Sequence, residues 1–342
     1  MQTWTHAGGP TVRFVEVRSW GRVRVCAGAP DGPPEARPAA AAAFEAEARA
    51  AGAQVLWFAV EHLRDLGGGG RARPSVVVGA EPVWRAGRWP EVVAAKSSVR
   101  AQVRRAQNKG VVVEPWPAAR VRRSGELRAV LAEWLGTRGL PPLSFMASPF
   151  VLDAPGDRRF WVARRGAEVV GYLALRPGDA AARDEPDAGE AFVEWIIQRR
   201  AAPNGTAALL LDAAVRSLPS ETGFTLGLVP LSSRAPRSAT APPLAVRALL
   251  AWTRAHAARF YNFDGLERFK AKFAPDAWRP LHLATDGPPV TLRTFHAVAA
   301  AFAAPRGPAR FVARALADAV GQEARAGAGW LRSALRPDGD DP

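Results

Sequence analysis

The rarest polar side chains of this chain fall in three short segments. Of 46 basic residues only four are lysine, and most of the asparagines and tyrosines lie beside them. The segments are residues 96–110 (KSSVRAQVRRAQNKG), 203–205 (PNG) and 261–273 (YNFDGLERFKAKF). Lysine carries a compact charge that the rigid fork of arginine does not reproduce. A lysine retained in an arginine-rich chain therefore indicates a position that needs an ammonium group.

Two of the lysines lie on a short helix predicted over residues 265–273. Its apolar side chains share one face, which Lys270 and Lys272 flank. An ammonium group anchored in this way can stabilise a developing oxyanion or neutralise a phosphate. The alternative is two surface lysines on an amphipathic helix. We select Lys270 and Lys272 as candidate catalytic residues, and Tyr261 and Asn262 just before them as candidate substrate-binding residues.

A second predicted helix, over residues 97–109, has an apolar stripe with basic flanks. Arg100 and Arg104 lie one turn apart on one flank, and Arg105 and Lys109 one turn apart on the other. Such a surface attracts phosphates, and we assign Arg104, Arg105 and Lys109 to substrate binding. The alternative is a basic helix that is simply solvated.

The third segment is a turn between a predicted strand and a predicted helix. Backbone N–H groups at the start of a helix carry partial positive charge and can hold a phosphate or carboxylate. Gly205 permits close approach of the backbone, and Asn204 tolerates a left-handed conformation. Asn204 and Gly205 are therefore candidate substrate-binding residues, although a plain turn has the same composition.

Overall charge favours an anionic partner. The net charge is +14 and the pI is about 11.2, which attracts nucleic acid, anionic membrane surfaces or phosphorylated substrates. The alternative source of this charge is a GC-rich genome that encodes arginine freely.

Other classes of protein are disfavoured by composition. One cysteine excludes a disulfide framework, and the five histidines lack metal-ligand spacing, so we expect no metal. No apolar run is long enough to span a membrane, and the first residues do not resemble a signal peptide. These features predict a cytoplasmic protein.

The elements that must position these residues alternate between strands and helices in two similar rounds, which predicts an α/β (α+β) fold. We expect a first domain over residues 1–115, a second over 116–286 that carries the active site, and a helical basic tail over 287–342. Within that tail, residues 309–320 have an apolar face and a basic face, typical of a helix that lies in an anionic bilayer interface. Packing of this helix on the second domain is the alternative. Membrane contact through the tail would make the protein peripheral on the inner face of the plasma membrane.

Taken in order, five segments resemble the C-terminal domain of phosphatidylglycerol lysyltransferases. They are SSVRAQVRRAQNKGVVVE, LPPLSFM, APNGT with LLLDAAVR, TLGLVPLS and YNFDGLERFKAKFAPDAW, and the resemblance covers about residues 12–285. It implies tandem GNAT-like domains that transfer an amino acid from aminoacyl-tRNA to phosphatidylglycerol. Aminoacyl-tRNA would be a co-substrate, an anionic phospholipid a partner, and no further cofactor is needed. The basic active-site residues of the family fall on Lys270 and Lys272.

The chain departs from that pattern in the strand before the turn. The resemblance implies an acid followed three positions later by arginine, where this chain has Trp195 and Gln198, so recognition of the amino acid's ammonium group is expected to differ. Glu194 is the nearby acid, and we select it as a candidate base or ammonium ligand. The glycines of the GNAT pyrophosphate loop are replaced by Ala201 and Pro203, which argues against CoA. The alternatives are an acyl-CoA-dependent GNAT acyltransferase and a non-catalytic module that binds tRNA or anionic lipid.

Overall fold

The structure is a computed structural model that describes most of the first 303 residues. Within residues 1–303 it leaves out residues 8, 69–72, 138–144, 147, 179–189, 236–243, 249 and 251–262. The expected sites Tyr261 and Asn262, and the expected amphipathic helix at 309–320, lie outside the described residues. No helix of the described part is long and apolar enough to cross a membrane.

The described strands form one mixed sheet of twelve strands, which confirms the predicted α/β class. The strands are β1 (Gln2–Thr5), β2 (Thr11–Arg18), β3 (Arg22–Ala27), β4 (Ala53–Val60), β5 (Ser75–Arg85), β6 (Val111–Trp116), β7 (Arg159–Arg165), β8 (Glu168–Arg176), β9 (Ala191–Gln198), β10 (Gly223–Thr225), β11 (Val229–Pro230) and β12 (Ala277–Thr285). Their order is β1-β2-β3-β4-β12-β5-β10-β9-β8-β7-β6, and β11 pairs with β5.

Helices cover the two faces of this sheet. They are α1 (Arg37–Ala50), α2 (Trp89–Ala95), α3 (Ser97–Asn108), α4 (Ala118–Arg123), α5 (Gly125–Gly136), α6 (Thr206–Arg216), α7 (Phe263–Ala271) and α8 (Leu292–Ala303). One apolar core joins α2, α3 and α6 to the β5–β9 region, and Phe269 and Phe273 from the α7 region complete it. Three further cores lie under α1, under α4 and α5, and under α8.

The same supersecondary unit occurs twice along the chain. Antiparallel strands β1 to β3 lead through α1 into β4, which runs parallel to β3. Antiparallel strands β6 to β9 lead, through α6, into β10, which runs parallel to β9. A helical crossover is what joins parallel neighbours, so each half has its own wound unit.

The next strand of each half pairs with the other half. β5 follows β4 in the chain but lies against β10, and β12 lies between β4 and β5. β6, placed at the boundary of the expected first domain, is the edge strand beside β7. The boundaries at residues 115 and 286 stay a prediction, but pairing across them joins the halves into one sheet. Hydrogen bonds between distant strands decide this exchange, and alternation along the chain does not reveal it.

Candidate functional site

The two pairs of parallel strands differ in the number of residue positions at which they pair. β3 and β4 share six paired positions, from Arg22 with Ala53 to Ala27 with Phe58. β9 and β10 share only two, because β10 ends at Thr225 while β9 runs on to Gln198. Ligands of open α/β sheets bind where neighbouring strands part. The second half therefore has the opening at its parallel pair.

Lys270 binds the chain segment that follows β10 at this opening. Its Nζ donates to the carbonyl oxygens of Leu226 at 2.7 Å, Gly227 at 2.7 Å and Leu228 at 3.2 Å. The residue is only 5% exposed. Burial lowers the pKa of Lys270 to about 7, an effect that the nearby Glu81 carboxylate partly opposes. An ammonium group has three N–H donors, and here the backbone uses all of them.

The expected role of Lys270 as an N–H donor to an oxyanion does not fit this geometry. A donor must point at the position where the oxyanion develops, and Lys270 has no N–H left for that position. Its contacts instead hold residues 226–228 in place. We therefore describe Lys270 as a positioning residue.

A group of carboxylates near Lys270 joins the two halves. Oε1 of Glu81, on β5, accepts a hydrogen bond from Thr225 Oγ1 at 2.8 Å. Arg279, on β12, forms ion pairs with Glu61 at 2.9 Å and with Glu190 at 2.5 Å. Burial raises the pKa of Glu81 to about 7; the Thr225 hydrogen bond opposes this rise, whereas the Glu61 and Glu190 charges add to it. The first contact joins β5 to β10, and the ion pairs join β12 to the residue after β4 and to the residue before β9.

Lys272 lies in a different environment from Lys270, two residues away. Its Nζ donates to Gln102 Oε1 at 3.0 Å and lies 4.3 and 4.6 Å from the ring centres of Phe269 and Phe273. The side chain is half-buried, and this burial lowers the pKa of Lys272 to about 8. Among the described residues Gln102 is the hydrogen-bond acceptor of Lys272, which leaves two N–H groups that can donate to a ligand.

The Pro-Asn-Gly turn meets the same residue of α3. Gly205 has a φ of 99°, and a Cβ atom there would lie 2.0 Å from the carbonyl oxygen of Gln102. The glycine is therefore required by the contact between α3 and the start of α6, and not by approach to a phosphate. Asn204 is exposed beside it, and Pro203 is buried. A carbonyl oxygen occupies the place where a phosphate would need N–H donors.

Three of the sequence-selected segments thus meet around Gln102. Helical spacing places Arg105 and Lys109 on the same flank of α3 as Gln102, and both are exposed. Arg104 is exposed on the other flank. We call Gln102, Arg105, Lys109 and Lys272 the basic track, because the cations continue from Lys272 along one side of α3.

Glu194 is separate from the basic track. It forms a two-pronged ion pair with Arg158 and lies 3.8 Å from Arg176. Paired strand positions jump from Val193 to Trp195 opposite Leu175 and Ala174, so Glu194 is the extra residue of a β-bulge. Two guanidinium groups compete for its oxygens, which disfavours the expected role as a free base or ammonium ligand.

Of the two residues that depart from the family pattern, Trp195 makes structural contacts. Trp195 Nε1 donates to Ser148 O at 2.9 Å, and its ring packs edge-on against Trp134 at 5.6 Å. Gln198 has a buried Oε1 without a hydrogen-bond partner in the described part of the chain.

Sequence reasoning missed Gln102 and the carboxylate network. The spacing of Gln102, Arg105 and Lys109 was available as a signal for the first. An acid inside the apolar strand SVVVGAEPVW was the signal for Glu81. Partners such as Arg279 come from distant strands and had no local signal.

Comparison with known proteins decides the family. The model of the phosphatidylglycerol lysyltransferase C-terminal family matches residues 10–285. The chain belongs to this family. A comparison with curated proteins found no match.

Two solved structures share the fold of this lysyltransferase-family chain. One is the C-terminal domain (DUF2156) of a protein assigned as a lysylphosphatidylglycerol synthetase from Agrobacterium fabrum, with 21% identity and a TM-score of 0.65, covering 84% of this chain and 83% of the other. The other is L-PGS from Bacillus licheniformis, with 20% identity and a TM-score of 0.68, covering 90% of each chain. At these identities the comparison establishes the fold.

Proposed function

We propose that the chain transfers an amino acid, lysine or a similar one, from aminoacyl-tRNA to the hydroxyl of phosphatidylglycerol or a related acceptor. Family membership supports a transferase related to phosphatidylglycerol lysyltransferase. The observation that carries the proposal is the contact between Lys272 and Gln102, which places a half-buried ammonium group at the end of an exposed basic flank. A polyanion bound along Arg105 and Lys109 would bring its end to Lys272.

The chemistry needs positioning and charge stabilisation. The acceptor hydroxyl oxygen attacks the carbonyl carbon of the aminoacyl ester, and a tetrahedral oxyanion forms. The bond to the ribose oxygen then breaks, and the proton of the acceptor hydroxyl ends on that ribose oxygen. Lys272 has two N–H groups for the oxyanion or a phosphate, and with a pKa near 8 it is mainly an ammonium group at neutral pH. The ester is already activated, so orientation supplies much of the rate.

An acyl-CoA substrate is less well supported. CoA pyrophosphate in a GNAT fold would bind at the start of α6. There Pro203 lacks an N–H group, and the Gln102 carbonyl lies against Gly205. The first feature removes a donor from this turn, and the second places a hydrogen-bond acceptor beside it.

The test mixes the purified chain with charged tRNA and phosphatidylglycerol vesicles and measures aminoacyl lipid. Lys272→Met should lower single-turnover transfer by about two orders of magnitude, as loss of an oxyanion donor does. Full activity in Lys272→Met would remove this residue from the mechanism. Binding of tRNA or vesicles without any transfer, under conditions where a known lysyltransferase is active, would favour a non-catalytic module.

Binding along the basic track is tested separately. Arg105→Glu and Lys109→Glu should weaken tRNA binding and each reduce its salt dependence by about one phosphate contact. Arg123→Glu, at the end of α4, is the matched charge change away from the track. Equal losses in all three variants would indicate general attraction to a basic protein.

A further inference from the structure

The turn between β2 and β3 displays an aromatic side chain that the proposed chemistry does not use. Trp20 is 70% exposed and has a φ of 49°, a left-handed conformation that bulky residues rarely adopt. Strained positions of this kind persist where surrounding contacts hold them, and they concentrate at functional sites.

The first turns of α8 hold this turn rigidly. Arg293 Nε donates to the carbonyl of Ser19 at 3.0 Å, and its Nη2 donates to the carbonyl of Trp20. Ser19 Oγ lies 2.9 Å from His296 Nδ1, and the Trp20 ring lies 4.7 Å from the His296 ring. These contacts anchor the turn to a helix that is distant in the chain.

An exposed leucine and two arginines surround the tryptophan. Leu292 is 52% exposed and lies one helical turn before His296, on the same side of α8. Arg18 and Arg293 are exposed beside them, and neither forms an ion pair with an acidic residue in the part of the chain that the structure describes. We call Trp20, Leu292, His296, Arg18 and Arg293 the turn patch.

We propose that the turn patch binds the interface of an anionic phospholipid bilayer. Tryptophan favours the headgroup region because its ring is apolar while its N–H can still be hydrated. Leucine adds apolar area, and the two arginines match the negative surface of the lipid. The inference rests on the proposed function, because an enzyme acting on a membrane lipid must reach the bilayer. It places a contact on the described part of the chain, independent of residues 304–342.

The test is co-sedimentation of the full chain with vesicles of phosphatidylglycerol mixed into phosphatidylcholine, compared with pure phosphatidylcholine. Trp20→Asn introduces a residue that tolerates the left-handed backbone conformation. It should lower the partition coefficient on anionic vesicles by about tenfold. Arg18→Glu should lower it by about fivefold or more. The matched controls are Phe150→Ala, a similarly exposed aromatic, and Arg165→Glu on β7, and both should bind as the wild type does.

Brominated phosphatidylglycerol gives a second measurement. The fluorescence of Trp20 is the difference in emission between the wild type and Trp20→Asn. The brominated lipid should quench this part of the wild-type emission. A general folding defect would not produce such quenching. Wild-type binding by Trp20→Asn, or absence of this quenching, would overturn the proposal. A concentration-dependent dimer that Trp20→Asn abolishes, with vesicle binding unchanged, would assign the patch to a second copy of the chain instead.

The two proposals fail in different ways. If the turn patch is correct and the transfer reaction is not, vesicle binding depends on Trp20 while no aminoacyl lipid forms. If both are correct, Trp20→Asn lowers transfer to vesicles but leaves transfer to soluble short-chain phosphatidylglycerol unchanged. If Trp20→Asn transfers to each acceptor as fast as the wild type does, the membrane role of the turn patch is refuted and the proposed reaction stands.

Discussion

Replacing Lys270 by methionine tests the distinction between the two neighbouring lysines. Methionine has a similar length but no charge and no N–H donor. The change leaves the carbonyls of residues 226–228 without their shared partner. It also removes a positive charge that lowers the pKa of Glu81, so the pKa of that carboxyl rises further.

The expected effect has a definite dependence on pH. Burial lowers the pKa of Lys270 from 10.5 to about 7, so between these values the unfolded chain binds more protons than the folded one. The free energy of unfolding contributed by Lys270 therefore increases as pH rises from about 7 to 10.5. Integrated from pH 7 to 9, this contribution is about 2 kcal/mol at about 1.4 kcal/mol per pKa unit. Loss of the cation beside Glu81 acts in the same direction, because a raised carboxyl pKa makes the variant lose stability as pH rises.

We expect the wild type to gain about 2 kcal/mol or more over Lys270→Met between pH 7 and 9. Urea unfolding followed by far-ultraviolet circular dichroism at each pH measures the difference. Lys109→Met, which removes an exposed lysine, controls for the loss of one charge. Parallel stability curves for wild type and Lys270→Met would refute the positioning role. Wild-type stability at each pH, with transfer reduced by about a hundredfold, would restore Lys270 as an oxyanion donor.

Three further changes test the rest of the site. Burial lowers the pKa of Lys272 to about 8, so single-turnover transfer should fall as pH rises through 8, and Lys272→Arg should abolish that fall while reducing the rate at pH 7. Gly205→Ala should destabilise the chain by about 3 kcal/mol or more in urea unfolding, because its Cβ meets Gln102; Gly110→Ala, also left-handed but uncrowded, should cost about 1–2 kcal/mol, and equal losses would contradict the packing role. Calorimetric titration with acetyl-CoA should give no saturable heat, and micromolar binding that free CoA displaces would instead favour a GNAT acyltransferase.

Local patterns in the sequence determined much of the fold. An apolar stripe at helical spacing predicted a helix over residues 97–109, and the structure has it as α3. The apolar run over residues 75–83 is typical of a buried strand, and the structure has it as β5, which runs two residues further. The helix predicted over residues 265–273 begins two residues earlier and ends at Ala271. These patterns succeed because periodicity reports which side of an element is buried.

Motif resemblance determined the family, and residue scarcity selected three segments that the structure brings close together. Lys272, Gly205 and the basic flank of α3 were all selected from the sequence, and the structure brings them together around Gln102. The sequence also determined that the protein is basic and that its histidines and cysteine do not have the spacing of metal ligands. It did not rank the two lysines, since both flank the same apolar face.

Only the tertiary structure decided what each charged group meets. Lys270 lies in the last turn of α7 and Lys272 directly after it, and their ammonium groups bind the backbone of residues 226–228 and Gln102 of α3 respectively. Glu194 is neutralised by Arg158, which lies 36 residues earlier in the chain. The free energy of a charge depends on its burial and on neighbours within a few ångströms. Those neighbours come from distant parts of the chain, namely the segment after β10, helix α3 and the residues just before β7, so only the folded chain brings them together.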